Sequence, residues 1–455
     1  MSLVDLFRKP QGMESEKMNF FKKNMLKILL AFILLSAGLL CIYFLYNYKG
    51  DVYQWQNRIN QPNFYSGGKS HFNPNRAPQI VKPPNNGETP NNRNAPNNGG
   101  APDNVGKLRG TSNGITRSTS QIVTYTIVFL AVSFLMGYFY KRKKIKIHAG
   151  DESMLVITIL LIGLFLRVFI ATLMEGHPFD INLFKRWAQT AANNFTGFYS
   201  GGNTSDYPPL YIYVLFLIGK IADIPAMSPY FILFLKLPSI VTDIATSYLI
   251  YRLGKKQLSK EMGIILSAFY AFNPAVFVNS AVWGQVDSFF TLLIILSMWM
   301  LSEEKIGLSS ALLAASVMMK PQGIIFVPVL FFELIRQKSV KAFVKAAFCG
   351  LGTFLAILLP FSIGKGVLWI INLFSNTVAE YPYASVNAFN FFSLLGANYA
   401  RDTFTLFGLS YHTWGMIFIV LVTAFSWFIY IKGNSTIFAP TAALIQVAGV
   451  LSLYF

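Results

Sequence analysis

The stretch from Glu175 to Trp187, EGHPFDINLFKRW, carries the residues best suited to chemistry. A carboxylate, Asp180, stands just after a long apolar run, Met154 to Met174, whose sole charge is Arg167. His177, Lys185, Arg186 and Trp187 lie around it. An acid at the mouth of a membrane-spanning helix is placed to act as a general base on a lipid-linked substrate. Ile181, Phe184, Trp187 and Ala188 have helical spacing, with Asn182, Lys185 and Arg186 on other faces, which predicts a short helix on the membrane surface. Asp180 also suits a helix N-cap, and both roles are open at this point.

Further candidates are scattered along the chain. Asp206, in SDYPPL, is a second acid that would orient an acceptor or assist with a cation; its plainer role is to open a turn. Trp283, Gln285 and Asp287 form a compact polar tract, WGQVD, suited to sugar or pyrophosphate-like oxygens, or else an interfacial Trp beside a solvated turn. Lys320 interrupts an apolar run, where a charge at the bilayer centre costs about 2.5–3.5 kcal/mol. It is a candidate for binding a phosphate, with Arg186 as a second cation and Gln322 beside it. Tyr381, Asn387 and Asn390 are either substrate-binding residues or an ordinary loop. Lys236 and Asp243, seven apart on one helix face, read as a buried structural pair.

A carboxylate base, cations and aromatic faces together suit sugar transfer. With a polyprenyl-phosphate sugar as donor, the leaving phosphate needs little protonation. One base then suffices, unlike the paired carboxylates of glycosidases. Lys320 would stabilise the departing phosphate, and Trp283 and the tyrosines would stack on a sugar face.

The elements that must position these residues are membrane helices. The chain is 53% hydrophobic and 13% charged, with a mean hydropathy of +0.45, against roughly 25% charged residues in a soluble domain. The net charge of +18 lies in short clusters between apolar runs, as the positive-inside rule expects, so it reads as topology and not as a nucleic-acid surface. The two cysteines, Cys41 and Cys349, both in apolar runs, give no disulfide framework or metal spacing, and four histidines argue against a His-rich metal site. No cofactor is called for. A divalent cation is left open, since two acids do not make a coordination sphere.

Four segments follow. Residues 1–46 read as a cytoplasmic N-terminus and an uncleaved first span, Met25 to Tyr46. Residues 47–118, rich in Asn, Pro and Gly, read as a disordered external linker. Residues 119–149 hold a second span and the basic run Lys141 to His148, which marks the cytoplasmic side. Residues 150–455 form the catalytic module. Its first external loop, 175–227, would hold amphipathic helices, one of them Pro208 to Ile224. The next spans expected are Tyr230–Leu253, Met262–Ser280 and Phe289–Leu301, followed by a short hairpin of Leu308–Met319 and Gly323–Ile335 with Lys320 at its turn. Phe348–Phe361, Trp414–Ile431 and 436–455 complete the count. This parity brings Asp180, Asp206, Asp287, Lys320 and the 380–390 segment to one external face. The chain stops at Leu453-Tyr454-Phe455 in or at the end of a span, which reads as a protein lacking its last part.

The blocks HPFDINLFKRWA, DYPPLYIY, KLPSIVTDI, NPAVFVNSAVWGQVDSF, MKPQGIIFVPV and YPYASVNAFNFF, between about residues 150 and 455, resemble the bacterial relatives of the GPI-anchor second mannosyltransferase. These are integral-membrane glycosyltransferases of the GT-C superfamily. The resemblance implies an all-α polytopic helix bundle, a polyprenyl- or dolichyl-phosphate-mannose donor, an extracytoplasmic site in a plasma membrane, and inversion at the anomeric carbon. It also implies that Asp180 is the catalytic base. A glycan, lipid or protein hydroxyl would be the acceptor. The rivals are a transporter or flippase of a lipid-linked sugar, which would place charges and broken helices near the midplane, and a catalytically silent assembly scaffold.

Overall fold

A computed structural model describes residues 11–48, 50, 112–143, 146–200, 205–366, 368–379, 382–386, 388, 390–432, 441, 442, 445 and 449. Most of the expected linker, residues 51–111, and most of the expected last span, 436–455, lie outside the described residues, as do Tyr381 and Asn387.

The protein is an all-α, multi-pass membrane bundle. Helices α1 (Gln11–Tyr46), α2 (Ser112–Lys143) and α3 (Ala149–Leu173) are followed by two shorter ones, α4 (Pro178–Asn193) and α5 (Leu210–Ala222). Next come α6 (Phe231–Gln257), α7 (Lys260–Ala271), the single turn α8 (Pro274–Phe277) and a π-helical turn, Val278–Trp283. Then follow α9 (Asp287–Ser302), α10 (Ile306–Met319), a 3-10 stretch Pro321–Phe326, α11 (Val327–Gln337), α12 (Val340–Leu358) and α13 (Trp369–Ala379). The turn α14 (Phe391–Leu394), a two-stranded ribbon pairing Thr405 with Ser410, and α15 (Tyr411–Lys432) close the described chain.

Six helices among the described residues are long and apolar enough to cross a membrane: Asn24–Tyr46, Thr119–Arg142, Gly150–Leu173, Ser228–Gln257, Val340–Phe361 and Tyr411–Lys432. Their apolar side chains face outward as well as inward, for example Phe134 at 75% exposure and Phe348 at 79%, which suits a lipid surround.

The expected span Met262–Ser280 is not one straight helix. It is a pair, Lys260–Ala271 and Pro274–Trp283, bent by 42°. Pro274 lacks an N–H and holds Asn273 in an extended conformation (φ −64, ψ 122), while the Asn273 side chain accepts from Ala275 N and restarts the helix. The helix α9, read as the span Phe289–Leu301, has 16 residues, so it reaches only about 24 Å against a hydrocarbon core of roughly 30 Å. The hairpin break falls at Lys320, whose backbone is extended (φ −143, ψ 136) ahead of Pro321.

The core that positions the site lies under α4 and α5. α4 buries Ile181, Phe184, Trp187, Ala188, Ala191 and Ala192, one stripe at helical spacing. α5 buries Tyr211, Ile212, Leu215 and Ile218 against it. Gly219 permits this approach, because a Cβ there would stand 2.3 Å from the Ala188 carbonyl oxygen.

At the other end of α6 the charges gather. Lys255 pairs with Glu152 and Lys256 with Glu303. A cavity of about 660 Å³ opens there, walled by Tyr248, Trp299 and basic residues. None of the candidate residues lines it.

Candidate active site

The site begins where α3 ends. Gly176 follows in the left-handed region (φ +99), where a Cβ would meet Ile181 Cγ1 at 2.6 Å and the Trp283 carbonyl oxygen at 2.8 Å. The next amide, His177 N, donates to Trp283 O at 2.8 Å. The loop leaving α3 is thereby fixed to the end of the π turn. That turn is closed by Gly284 (φ +89), and both Gly284 N and Gln285 N donate to Asn279 O, at 3.1 and 3.0 Å. A π turn inserts an extra residue into the helical path and re-aims the side chains that follow.

Trp283 and Gln285 are re-aimed at Asp180. Trp283 Nε1 donates to Asp180 Oδ2 at 2.6 Å and Gln285 Nε2 donates to the same oxygen at 2.9 Å. His177 stacks on the Trp283 ring, with centroids 4.5 Å apart and planes at 11°, and its Nδ1 lies 3.1 Å from Asp180 Oδ2. Among the described residues no hydrogen bond reaches Asp180 Oδ1, so the carboxylate is held through one oxygen. Asp180 is therefore not the helix cap. His177 occupies the cap position, and Asp180 sits inside the first turn of α4, where the helix dipole favours its charge.

Three residues on one face of α6 hold this arrangement. Lys236 Nζ donates to the carbonyls of Met174, at 2.6 Å, and Ala281, at 2.8 Å. It thus ties the end of α3 to the π turn. Ser239 Oγ donates to Gln285 O at 2.7 Å. Asp243 accepts from Ser280 Oγ at 2.6 Å and from Arg167 Nε at 2.8 Å. The expected Lys236–Asp243 pair is thus corrected: the two are buried on one face, but Asp243 takes Arg167 and Lys236 takes two carbonyls. About two helix turns separate them along α6, and each finds a nearer partner on a neighbouring element.

A second group adjoins the first. Asp287, at the start of α9, pairs with Lys320 and accepts from Asn279 Nδ2 at 3.2 Å. The Lys320 ammonium also lies 5.3 Å from the centre of the Tyr207 ring. Burial raises the Asp206 carboxyl above its ordinary range; the nearby charge of Lys320 opposes this and that of Asp180 adds to it. Both groups therefore act on Asp206. The turn at 205–207 is closed by Ser205 Oγ, which accepts from Tyr207 N at 3.1 Å, so Asp206 is not needed to open it.

The remaining candidates are not brought here. Arg186 is exposed and lies about 120° around α4 from Asp180, away from the buried stripe. Gln322 is exposed in the 3-10 stretch. Asn390 is buried at 4% exposure and caps α14, its side chain accepting from Ser393 N at 2.9 Å. Among the described residues no group of three His, Cys, Asp or Glu side chains is placed to hold a metal ion.

Two further features were not singled out by sequence reasoning. Spacing marks His177 only as a neighbour of Asp180, and the stacking that gives it a place depends on the π turn. Lys365, in SIGKG between two apolar stretches, looks like an ordinary turn lysine. Its ammonium lies 4.3 Å from the centre of Trp369 and 5.0 Å from that of Tyr199.

Two predictions arise from this geometry. Gly284→Ala is expected to lose about 1–2 kcal/mol for the left-handed backbone alone, with more for a Cβ 2.7 Å from Ile181 Cδ1. The variant should melt lower and lose Trp283 fluorescence changes on ligand binding; unchanged melting would contradict the turn geometry. For Asp206, the raised carboxyl means that the folded state holds its proton more tightly than the unfolded state. Below the ordinary carboxylate range both states are protonated and nothing is lost. As pH rises the unfolded state ionises first, so stability falls until the folded group ionises too. Asp206→Asn should remove this fall, and its melting advantage over wild type should grow from acid to neutral pH.

With the geometry described, the likenesses to known proteins can be placed on it. The family model for the GPI transamidase subunit PIG-U matches residues 188–400. GPI mannosyltransferase 1 of Candida albicans is 32% identical over 107 residues, which is 23% of this chain and 27% of that protein. The chain therefore spans about a quarter of that relative's length. Both likenesses are to GPI-related proteins, one a transamidase subunit and the other a mannosyltransferase. The PIG-U match includes Asp206, Trp283, Gln285, Asp287 and Lys320 but begins after Asp180.

Proposed function

We propose that the protein is an inverting glycosyltransferase of GT-C type, which moves a sugar, mannose by our reading, from a polyprenyl-phosphate donor to an acceptor hydroxyl. The observation that carries the proposal is that Asp180 Oδ2 accepts from Trp283 Nε1 and Gln285 Nε2, with His177 Nδ1 3.1 Å away, while among the described residues no hydrogen bond reaches Oδ1. Donors on one oxygen fix the carboxylate's orientation, as a general base requires, and leave its second oxygen to receive the acceptor proton. Trp283, 41% exposed, offers a face for a sugar ring. Lys320, Asp287 and Asp206 form a polar wall next to it, with Asp206 orienting the acceptor.

In this reading the site opens on the extracytoplasmic side of a plasma membrane, and the N-terminus is cytoplasmic. The support is that the basic end of α6, with Lys255 and Lys256 in its last turn, is the end far from Asp180, as the positive-inside rule would arrange it. The acceptor is a glycan, lipid or protein hydroxyl.

The test is transfer by membranes that contain the protein, supplied with radiolabelled polyprenyl-phosphate mannose and, in parallel, other polyprenyl-phosphate sugars. Label should move into an acceptor fraction above that of membranes lacking the protein. No transfer from any such donor would overturn the proposal.

The PIG-U match favours a second reading, a non-catalytic subunit of a membrane complex. That reading expects the protein to co-purify with a partner and to show no transfer when purified alone.

A further inference from the structure

A transferred sugar leaves its phosphate behind, and the phosphate needs a cation. Three buried cations of this module are already engaged: Lys320 by Asp287, Lys236 by two carbonyls and Arg167 by Asp243. Lys365 differs. It sits in the turn after α12, and its ammonium is enclosed without a hydrogen-bond partner. Among the described residues it has no ion pair, and it faces only the rings of Trp369 and Tyr199.

This cage adjoins the acid site. Tyr199 OH donates to Tyr207 O at 2.7 Å, and Thr377 Oγ1 donates to Asp206 O at 2.9 Å. Trp369 is itself fixed by its Nε1 donating to Ser362 Oγ at 3.1 Å. Lys365 is thus one tyrosine ring away from the Asp206–Tyr207 segment. A cation over aromatic faces recovers only part of what it loses on leaving water, and burial draws its pKa down. An enclosed ammonium without a counter-charge is a place prepared for an anion.

We infer that Lys365 is the cation that receives the phosphate of a lipid-linked phosphosugar, an inference that rests on the transferase reading above. The acceptor oxygen attacks the anomeric carbon and its proton passes to Asp180. The bond from that carbon to the phosphate oxygen breaks, and its electron pair leaves with the phosphate. A singly charged diester becomes a doubly charged monoester, so negative charge grows where Lys365 stands. The half-buried stem lets the ammonium swing from the rings to the phosphate without breaking a hydrogen bond or an ion pair.

The test uses the purified full chain in nanodiscs and measures binding of decaprenyl phosphate, decaprenol and inorganic phosphate. The variants are Lys365→Met, which keeps the stem and removes the charge, and Lys365→Arg. Lys365→Met should weaken decaprenyl phosphate about tenfold or more, leave decaprenol unchanged, and melt no lower than wild type. Lys365→Arg should restore most of the affinity. Unchanged binding of decaprenyl phosphate to Lys365→Met would overturn the inference. So would inorganic phosphate that binds as tightly as the lipid and depends equally on Lys365. Lys365-dependent lipid binding without sugar transfer from any donor would support this site and refute the transferase reading.

Discussion

Asp180→Asn is expected to lower sugar transfer about 10²–10⁴-fold, the contribution typical of a positioned general base. Asn has the shape of Asp, and its amide oxygen can still accept from Trp283 Nε1 and Gln285 Nε2. The loop, the π turn and the stacked His177 should therefore stay in place, and the melting temperature should move little. The variant should still bind donor, because the loss falls on proton removal and hence on kcat. Transfer that survives the substitution would remove Asp180 as the base, whatever else the site does. A loss of both binding and stability would instead point to a structural carboxylate.

Asp243→Leu is expected to give the largest loss of stability. Arg167 and Asp243 are fully buried, at 0% side-chain exposure each, and Arg167 also donates to the carbonyls of Gly163 and Ala271. Removing one partner strands the other charge, at a cost of about 3–5 kcal/mol. Ser280, in the π turn, would lose the shorter of its two hydrogen bonds and keep only that to Val276 O, so the aim of Trp283 should degrade and activity should fall with stability. Replacing both residues with apolar ones, Arg167→Met with Asp243→Leu, should recover much of the melting temperature, because no charge is then left unpaired. If the double variant melts as low as the single one, the pair does more than neutralise itself. Thermal unfolding in detergent distinguishes these results.

Much of this was legible in the sequence because two signals are local. Apolar runs bounded by basic clusters reveal the spans, and the Ile181, Phe184, Trp187, Ala188 stripe reveals the buried face of α4. The polar blocks around Asp180 and Trp283 were legible as candidates because polar residues in an apolar chain need a reason. What was not legible depends on three-dimensional neighbours. A lone Arg167 in a span demands a partner, but spacing cannot say that it is Asp243, 76 positions away. Lys236 and Asp243 share a helix face and invite pairing, yet helix contacts gave each another partner. The π turn leaves no periodic trace, since six residues of backbone re-registration are hidden by ordinary residue types. Asn390 and Arg186 offer suitable chemistry, but spacing does not show that one caps a short helix and the other is exposed on α4. Lys365 was overlooked for the converse reason: nothing in SIGKG distinguishes a solvated turn lysine from one enclosed by two rings.

The central claim is that one carboxylate, held through one oxygen, removes the acceptor proton while a phosphate departs. A single displacement of this kind inverts the anomeric centre, whereas a second carboxylate acting as nucleophile would retain it. The stereochemistry of the transferred sugar, read by NMR from product made with a donor of known anomeric configuration, therefore tests the account most directly. Inversion is the predicted result. Retention would require a double displacement or attack from the leaving group's own face, and would contradict the assignment of Asp180 as the lone base of a single displacement.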